Sequence, residues 1–121
     1  MILLDTNVVV DAFDKDQAHH SWVVTLAELC AGARNPENVE PEIKRLGITV
    51  HDLPAAVAVT CGRVYRRYVT ARRDSGGTAP PKMPLPDFFI GAQAEIMGWK
   101  IATRDHERFK KYFPKVALVT P

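Results

Sequence analysis

The chain has 121 residues, 46% of them hydrophobic and 25% charged, with a formal net charge of +2. That length and balance fit one globular domain, residues 1–121, able to bury a core without disulfide or metal staples, and they argue against a disordered or disulfide-rich chain. No apolar run approaches the roughly 18 residues of a membrane span, and Asp5 interrupts the apolar start with no basic segment ahead of it, so neither a membrane helix nor a signal peptide is expected.

Ile2, Leu3 and Leu4 form an apolar run ending on Asp5, which predicts a buried parallel strand finishing in a carboxylate. Residues 8–13 read as a helix capped by Thr6 or Asn7, and residues 14–20 as a polar connection. The β-branched stretch 21–25 reads as a second strand, passing into a helical turn or two over 26–32. Asn35 and Pro36 predict the cap and first residue of a short charged helix closing at Gly47. Residues 48–53 are a third strand. Pro54 then starts the longest helix, running to about Arg73 with Ala56, Val59 or Thr60, Val64 and Tyr68 on one side. Residues 74–86 are the clearest loop.

Asp87 opens an apolar helix to Met97 that is expected to be buried on most sides and stopped by Gly98. Residues 99–103 are a strand ending near Asp105, residues 106–112 a short helix broken by Pro114, and residues 116–119 a last strand. Strands alternating with helices imply a mostly parallel sheet covered on both faces. Such sheets bind ligands outside the carboxyl ends of their strands, where the connections diverge. Two of these strands put an aspartate there.

Four acids stand apart because each is embedded in apolar sequence: Asp5, Glu28, Asp87 and Asp105. A charge beside a core is costly unless it is paired or holds a metal. Each has a duller reading taken alone. Asp5 and Asp87 fit as helix caps, Glu28 as a surface residue on an amphipathic helix, and Asp105 as a partner of Arg104 or Arg108. One shared cause accounts for all four, a divalent cation with hard oxygen ligands, Mg²⁺ or Mn²⁺. Without a cation, converging carboxylates repel and take up protons. A cation so held suits phosphodiester hydrolysis, because it acidifies water and neutralises phosphoryl charge.

The motifs carrying these acids resemble those of a known family. Leu4-Asp5-Thr6-Asn7-Val8, Thr25-Leu26-Ala27-Glu28-Leu29, the run from Leu85 to Ala94 around Asp87, and Thr103-Arg104-Asp105 followed by Phe109 are similar, in order and context, to the motifs of PIN-domain proteins, in particular VapC-type toxins of toxin–antitoxin pairs. The resemblance spans nearly the whole chain. It implies a three-layer α/β/α PIN-like fold and Mg²⁺- or Mn²⁺-dependent endoribonuclease activity with Asp5, Glu28, Asp87 and Asp105 as catalytic and metal-holding residues. It also implies a homodimer and a cognate antitoxin protein that blocks activity. Thr6 and Thr103 match polar positions near the acids. The stretch between the first helix and the second strand is shorter than the family's, which bears on substrate and antitoxin contacts more than on the metal site.

Cys30 and Cys61 form no ligand pattern and read as small buried residues in a reducing compartment, the cytoplasm. The adjacent His19 and His20 read as a surface pair, and Gly76-Gly77 as a plain turn. Trp22, Trp99, Tyr65 and Tyr68 read as core or interface packing. Phe88, Phe89, Trp22 and Trp99 are a generous aromatic supply for one small core, which also favours a homodimer or a complex. Two other readings remain. Transfer through an aspartyl intermediate fits a strand-ending Asp5, but the second Asp often found two residues on is here Asn7. A non-catalytic binding module would use the basic middle and has no need of four acids.

The basic residues divide into a middle group, Arg63 to Lys82, and a tail group, Lys100 to Lys115. Arg104, Arg66 and Arg73 are the candidate RNA contacts. If the middle group lines the RNA path, Arg66→Ala or Arg73→Ala should flatten the salt dependence of RNA binding, measured without Mg²⁺. The expected change is roughly 0.7 in log–log slope per lost phosphate contact on a single strand. Unchanged slopes assign the path to the tail group instead.

Overall fold

The computed structural model describes residues 1–5, 20–76 and 85–120, and of residues 20–24 the backbone alone. Its strands, β1 (Ile2–Leu4), β2 (His20–Trp22), β3 (Thr49–His51), β4 (Lys100–Ala102) and β5 (Leu118–Val119), form one sheet in the order β3-β2-β1-β4-β5. Every pairing is parallel, with Leu3 opposite Ile101 and Leu4 opposite Ala102 across the two central strands.

Alternation along the strands sends neighbouring residues to opposite faces, and each face has its own core. Leu3 and Ile101 cluster with Val57, Cys61, Phe88, Ile90 and Phe109 of helices α3 (Ala56–Asp74), α4 (Pro86–Met97) and α5 (His106–Tyr112). Leu4 and Ala102 cluster with Leu26, Leu29 and Ile43 of helices α1 (Val23–Gly32) and α2 (Val39–Arg45). This is the expected three-layer α/β/α arrangement. It explains why the strands read as unbroken apolar runs rather than alternating ones.

Several boundaries differ from expectation. The second strand stops at Trp22, and Val23 already lies in α1. Strand preference of β-branched residues yields readily to tertiary context, and here the buried Thr25 hydroxyl donates to Leu4 O at 3.3 Å, docking the helix on β1. The charged segment splits into a 3-10 turn (Pro36–Asn38) and α2, and Gly47 closes it at φ 75°. The buried stripe of α3 is Val57, Cys61, Val64 and Tyr65, so Ala56 falls outside it and Val59 is 65% exposed. Steps of three and four from Val57 define that face; of the expected stripe, Val64 is buried and Tyr68 packs against the core, while Ala56 and Val59 lie off it. Helix α4 starts at Pro86, which places Asp87 in the first turn instead of at the opening, and Gly98 ends it at φ 68° as expected.

Cys61 is buried, and burial raises its thiol pKa to about 11, which keeps it an inert apolar filler. Cys30 is only half-buried, its thiol donating to Pro36 O at 3.6 Å. Phe88 is fully buried among Tyr65, Tyr68 and Tyr112, with ring centroids 5.2 to 5.5 Å away. Phe89 and Trp99 pack against the same cluster. The core thus takes up three of the four aromatics counted as surplus, and the Trp22 side chain is outside the description. The expected helix at 8–13 with its Thr6 or Asn7 cap, the connection through residue 19 and loop residues 77–84 lie outside the described residues. Among the described residues no helix is long and apolar enough to cross a membrane.

Helix α4 approaches Phe113 so closely that a Cβ on Gly91 would lie 2.2 Å from the ring. Phe113 is itself buried and has little room to yield. Gly91→Ala should therefore lower stability by about 1–3 kcal/mol through overpacking. Urea unfolding checks this, and an unchanged midpoint would contradict the close α4–Phe113 contact.

Candidate functional site

β1 and β4 are neighbours, but the strands that follow them in the chain, β2 and β5, lie on opposite sides of the pair. Their carboxyl ends therefore mark the topological switch point at which open α/β sheets hold ligands. Asp5 and Thr103 are the first residues past those ends. The Asp5 N–H donates to Ala102 O at 3.1 Å, and the Thr103 N–H to Val119 O at 3.1 Å, which extends the ladder and fixes both residues.

Asp5 is 5% exposed. Thr103 donates its hydroxyl to Asp5 Oδ2 at 2.8 Å, and the same hydroxyl oxygen accepts the Asp105 N–H at 3.0 Å. One buried hydroxyl thus links two of the candidate acids. Asp105 is the N-cap of α5, its Oδ1 accepting the Arg108 N–H at 3.5 Å. The Arg108 guanidinium turns instead to Asp87 and forms an ion pair with Oδ2. Sequence offered Arg104 or Arg108 as a partner for Asp105. The structure uses Arg108 for both acids, its backbone on Asp105 and its side chain on Asp87.

Glu28 is half-buried on α1, one turn beyond Thr25 and so on the same side of the helix. Since Thr25 bonds to Leu4 O, the residue before Asp5, α1 is anchored at the end of β1. The four acids are brought together to different degrees. Asp5, Asp105 and Asp87 belong to one connected chain through Thr103 and Arg108, whereas Glu28 is placed by its helix. Among the described residues, no three His, Cys, Asp or Glu side chains are grouped so as to hold a metal ion. The donor chemistry, carboxylate oxygen throughout, fits a hard divalent cation.

Arg104 is exposed between Thr103 and Asp105, beside the acids. Arg66 lines an open groove of about 530 Å³ on α3 together with Arg63, Arg67, Thr70, Ala71 and Asp74, so the groove is basic but carries one acid. Arg73 is exposed in the last turn of α3 and does not line that groove. Among the described residues, no hydrogen bond or ion pair ties Arg66 or Arg73 to the four acids. Two contributors were missed in the sequence, Thr25 as an anchor and Arg108 as the partner of Asp87. Thr25 lies within the motif of Glu28 and was open to detection. No local signal announces a contact across the 21 residues separating Asp87 from Arg108.

The model of the PIN domain family matches residues 2–113. Several solved structures share the fold at low identity. VapBC2 from Rickettsia felis, solved with a DNA fragment from its promoter, matches at TM-score 0.66 and 19% identity over 98% of both chains. DNA-bound VapBC from Salmonella typhimurium matches at TM-score 0.66 and 18% identity, over 98% of this chain and 96% of that one. FitAcB from Neisseria gonorrhoeae matches at TM-score 0.63 and 22% identity, over 100% and 98%. No curated protein sequence matches significantly.

Thr103→Val keeps the volume of the side chain and removes both hydroxyl bonds. It should destabilise the protein by about 1–3 kcal/mol, because it withdraws the hydrogen from a buried carboxylate oxygen and strands the Asp105 N–H. Thr103→Ser should stay near wild type. Thr103→Val as stable as wild type in urea unfolding, with Thr103→Ser destabilised, would assign the residue's contribution to its methyl group and not to the bridge.

Proposed function

This chain belongs to the PIN domain family, and from that premise we propose that it is a divalent-cation-dependent endoribonuclease, the toxin of a type II toxin–antitoxin pair, acting through one domain, residues 1–121. The observation that supports this most is the Asp5–Thr103–Asp105 bridge at the switch point between β1 and β4. It holds a nearly buried carboxylate where a ligand is expected, with a second acid tied to the same hydroxyl.

The proposed cofactor is Mg²⁺ or Mn²⁺, held by Asp5, Glu28, Asp87 and Asp105. When bound, such a cation acidifies water and offsets charge on a phosphoryl oxygen. The chain's own residues supply placement. Thr103 orients Asp5 by donating to Oδ2. Arg104, exposed between two site residues, is proposed to grip a phosphate flanking the scissile bond, with Arg66 and Arg73 as more distant contacts along the strand. Single-stranded or looped RNA fits better than duplex, because the backbone must reach a crevice at the sheet end. Structural likeness to VapBC and FitAcB supports an antitoxin protein as partner, and a homodimer in the cytoplasm completes the proposal.

A second reading, a PIN-fold module that binds without cleaving, draws on the basic groove of α3 lined by Arg63, Arg66 and Arg67. Cation binding separates the two. Calorimetry with Mn²⁺ should show a site in the wild type that Asp5→Asn weakens by roughly 100-fold or more, since even indirect partners of metal ligands are worth 10- to 100-fold. Asp5→Asn and Asp87→Asn should both abolish cleavage of single-stranded RNA while melting cooperatively. Cleavage that survives in EDTA, or in both variants, rejects the assignment.

A further inference from the structure

Arg108 is the residue through which two of the four acids meet. Its N–H caps onto Asp105, and its guanidinium is the ion-pair partner of Asp87. We propose that Arg108 is a positioning residue that competes with the divalent cation for Asp87, so that cation binding and the Arg108–Asp87 pair are mutually opposed. The inference rests on the reading of Asp87 as a cation-holding residue and adds what controls its availability.

Three features support it. First, the backbone of Arg108 cannot retreat. Its neighbour Phe109 is fully buried, and Tyr112, one turn on, sits in the same core, so α5 is pinned against α4 and the sheet. Any response to a cation must come from the side chain. Second, that side chain has somewhere to go, because it is 38% exposed, whereas Asp87 is 24% exposed. Rotation into solvent breaks the pair without disturbing the core. Third, a guanidinium and a doubly charged cation sharing one carboxylate repel, and partial burial limits how far water screens them. Neutralisation of Asp87 by Arg108 explains how an acid beside an aromatic core, next in sequence to the buried Phe88, is tolerated. The same neutralisation opposes the cation.

Opposition has a thermodynamic signature. If breaking the pair is part of cation binding, removing the charge of Arg108 must tighten binding, and the effect must vanish when Asp87 can no longer pair. The test is calorimetry of Mn²⁺ into EDTA-stripped protein for wild type, Arg108→Gln, Arg108→Lys, Asp87→Asn and the double variant, alongside thermal melts without cation. Arg108→Gln should bind Mn²⁺ about tenfold more tightly than wild type. Arg108→Lys, which keeps the charge, should remain close to wild type, and Arg108→Gln should give no tightening in the Asp87→Asn background. Equal or weaker binding by Arg108→Gln, with wild-type binding intact, overturns the competition and leaves the cation site standing. So does a variant that melts earlier while its Mn²⁺ affinity stays put, since a purely structural pair behaves that way. No Mn²⁺ binding by wild type or Arg108→Gln, with both folded, removes the cation site and the competition together.

Discussion

A carboxylate that is nearly out of water, at the junction of the two central strands, is the constraint on which the rest of this structure turns. Burying an ionised group without compensation costs several kcal/mol, and Asp5 is compensated by position. Its N–H continues the β1–β4 ladder, and its Oδ2 receives the Thr103 hydroxyl. Thr103 can serve only because β5 holds its own N–H from the far side. Sheet order, register and the site are thus one arrangement. Slippage of β4 by a residue would move Ile101 to the wrong face and Thr103 away from Asp5.

From that junction the helices distribute the remaining acids. Thr25 pins α1 to the end of β1 and so sets where Glu28 sits. The first turn of α4 presents Asp87, and the aromatic cluster around Phe88 fixes how α4 meets α3 and α5. The start of α5 brings in Asp105 as a cap and Arg108 as the partner of Asp87. The cap and the half-exposed ion pair each contribute little to stability, about 1 kcal/mol or less. Their effect is mainly on where charges stand, which is why they matter more to the proposed chemistry than to folding.

Much of this was legible in the residues. The apolar runs ending on acids located the strands and the end of the sheet, because a strand buried on both faces leaves no room for polar residues until it emerges. The four acids were identifiable by contrast with their apolar settings, and Thr103 by its place beside Asp105. Less was visible where tertiary context decides. Val23 and Val24 carry strand preference yet lie in a helix that must dock on β1. The start of the buried face of α3 was misplaced because Ala56 and Val59 are as apolar as Val57 and Cys61, and only the neighbours distinguish them, whereas Val64 and Tyr68 face the core as expected. The Asp87–Arg108 pair depends on how α4 and α5 cross, which no spacing along the chain encodes.

A cation centred on Asp5, beyond the carboxyl ends of β1 and β4, is what the proposed chemistry requires. The most direct measurement is anomalous diffraction from crystals of the protein grown with Mn²⁺. A manganese peak is expected within roughly 2.3 Å of an Asp5 carboxylate oxygen, with at least one further oxygen from Asp87, Asp105 or Glu28 in its coordination sphere. Strong manganese peaks elsewhere, with none at Asp5 and with the Thr103 bridge undisturbed, would contradict it.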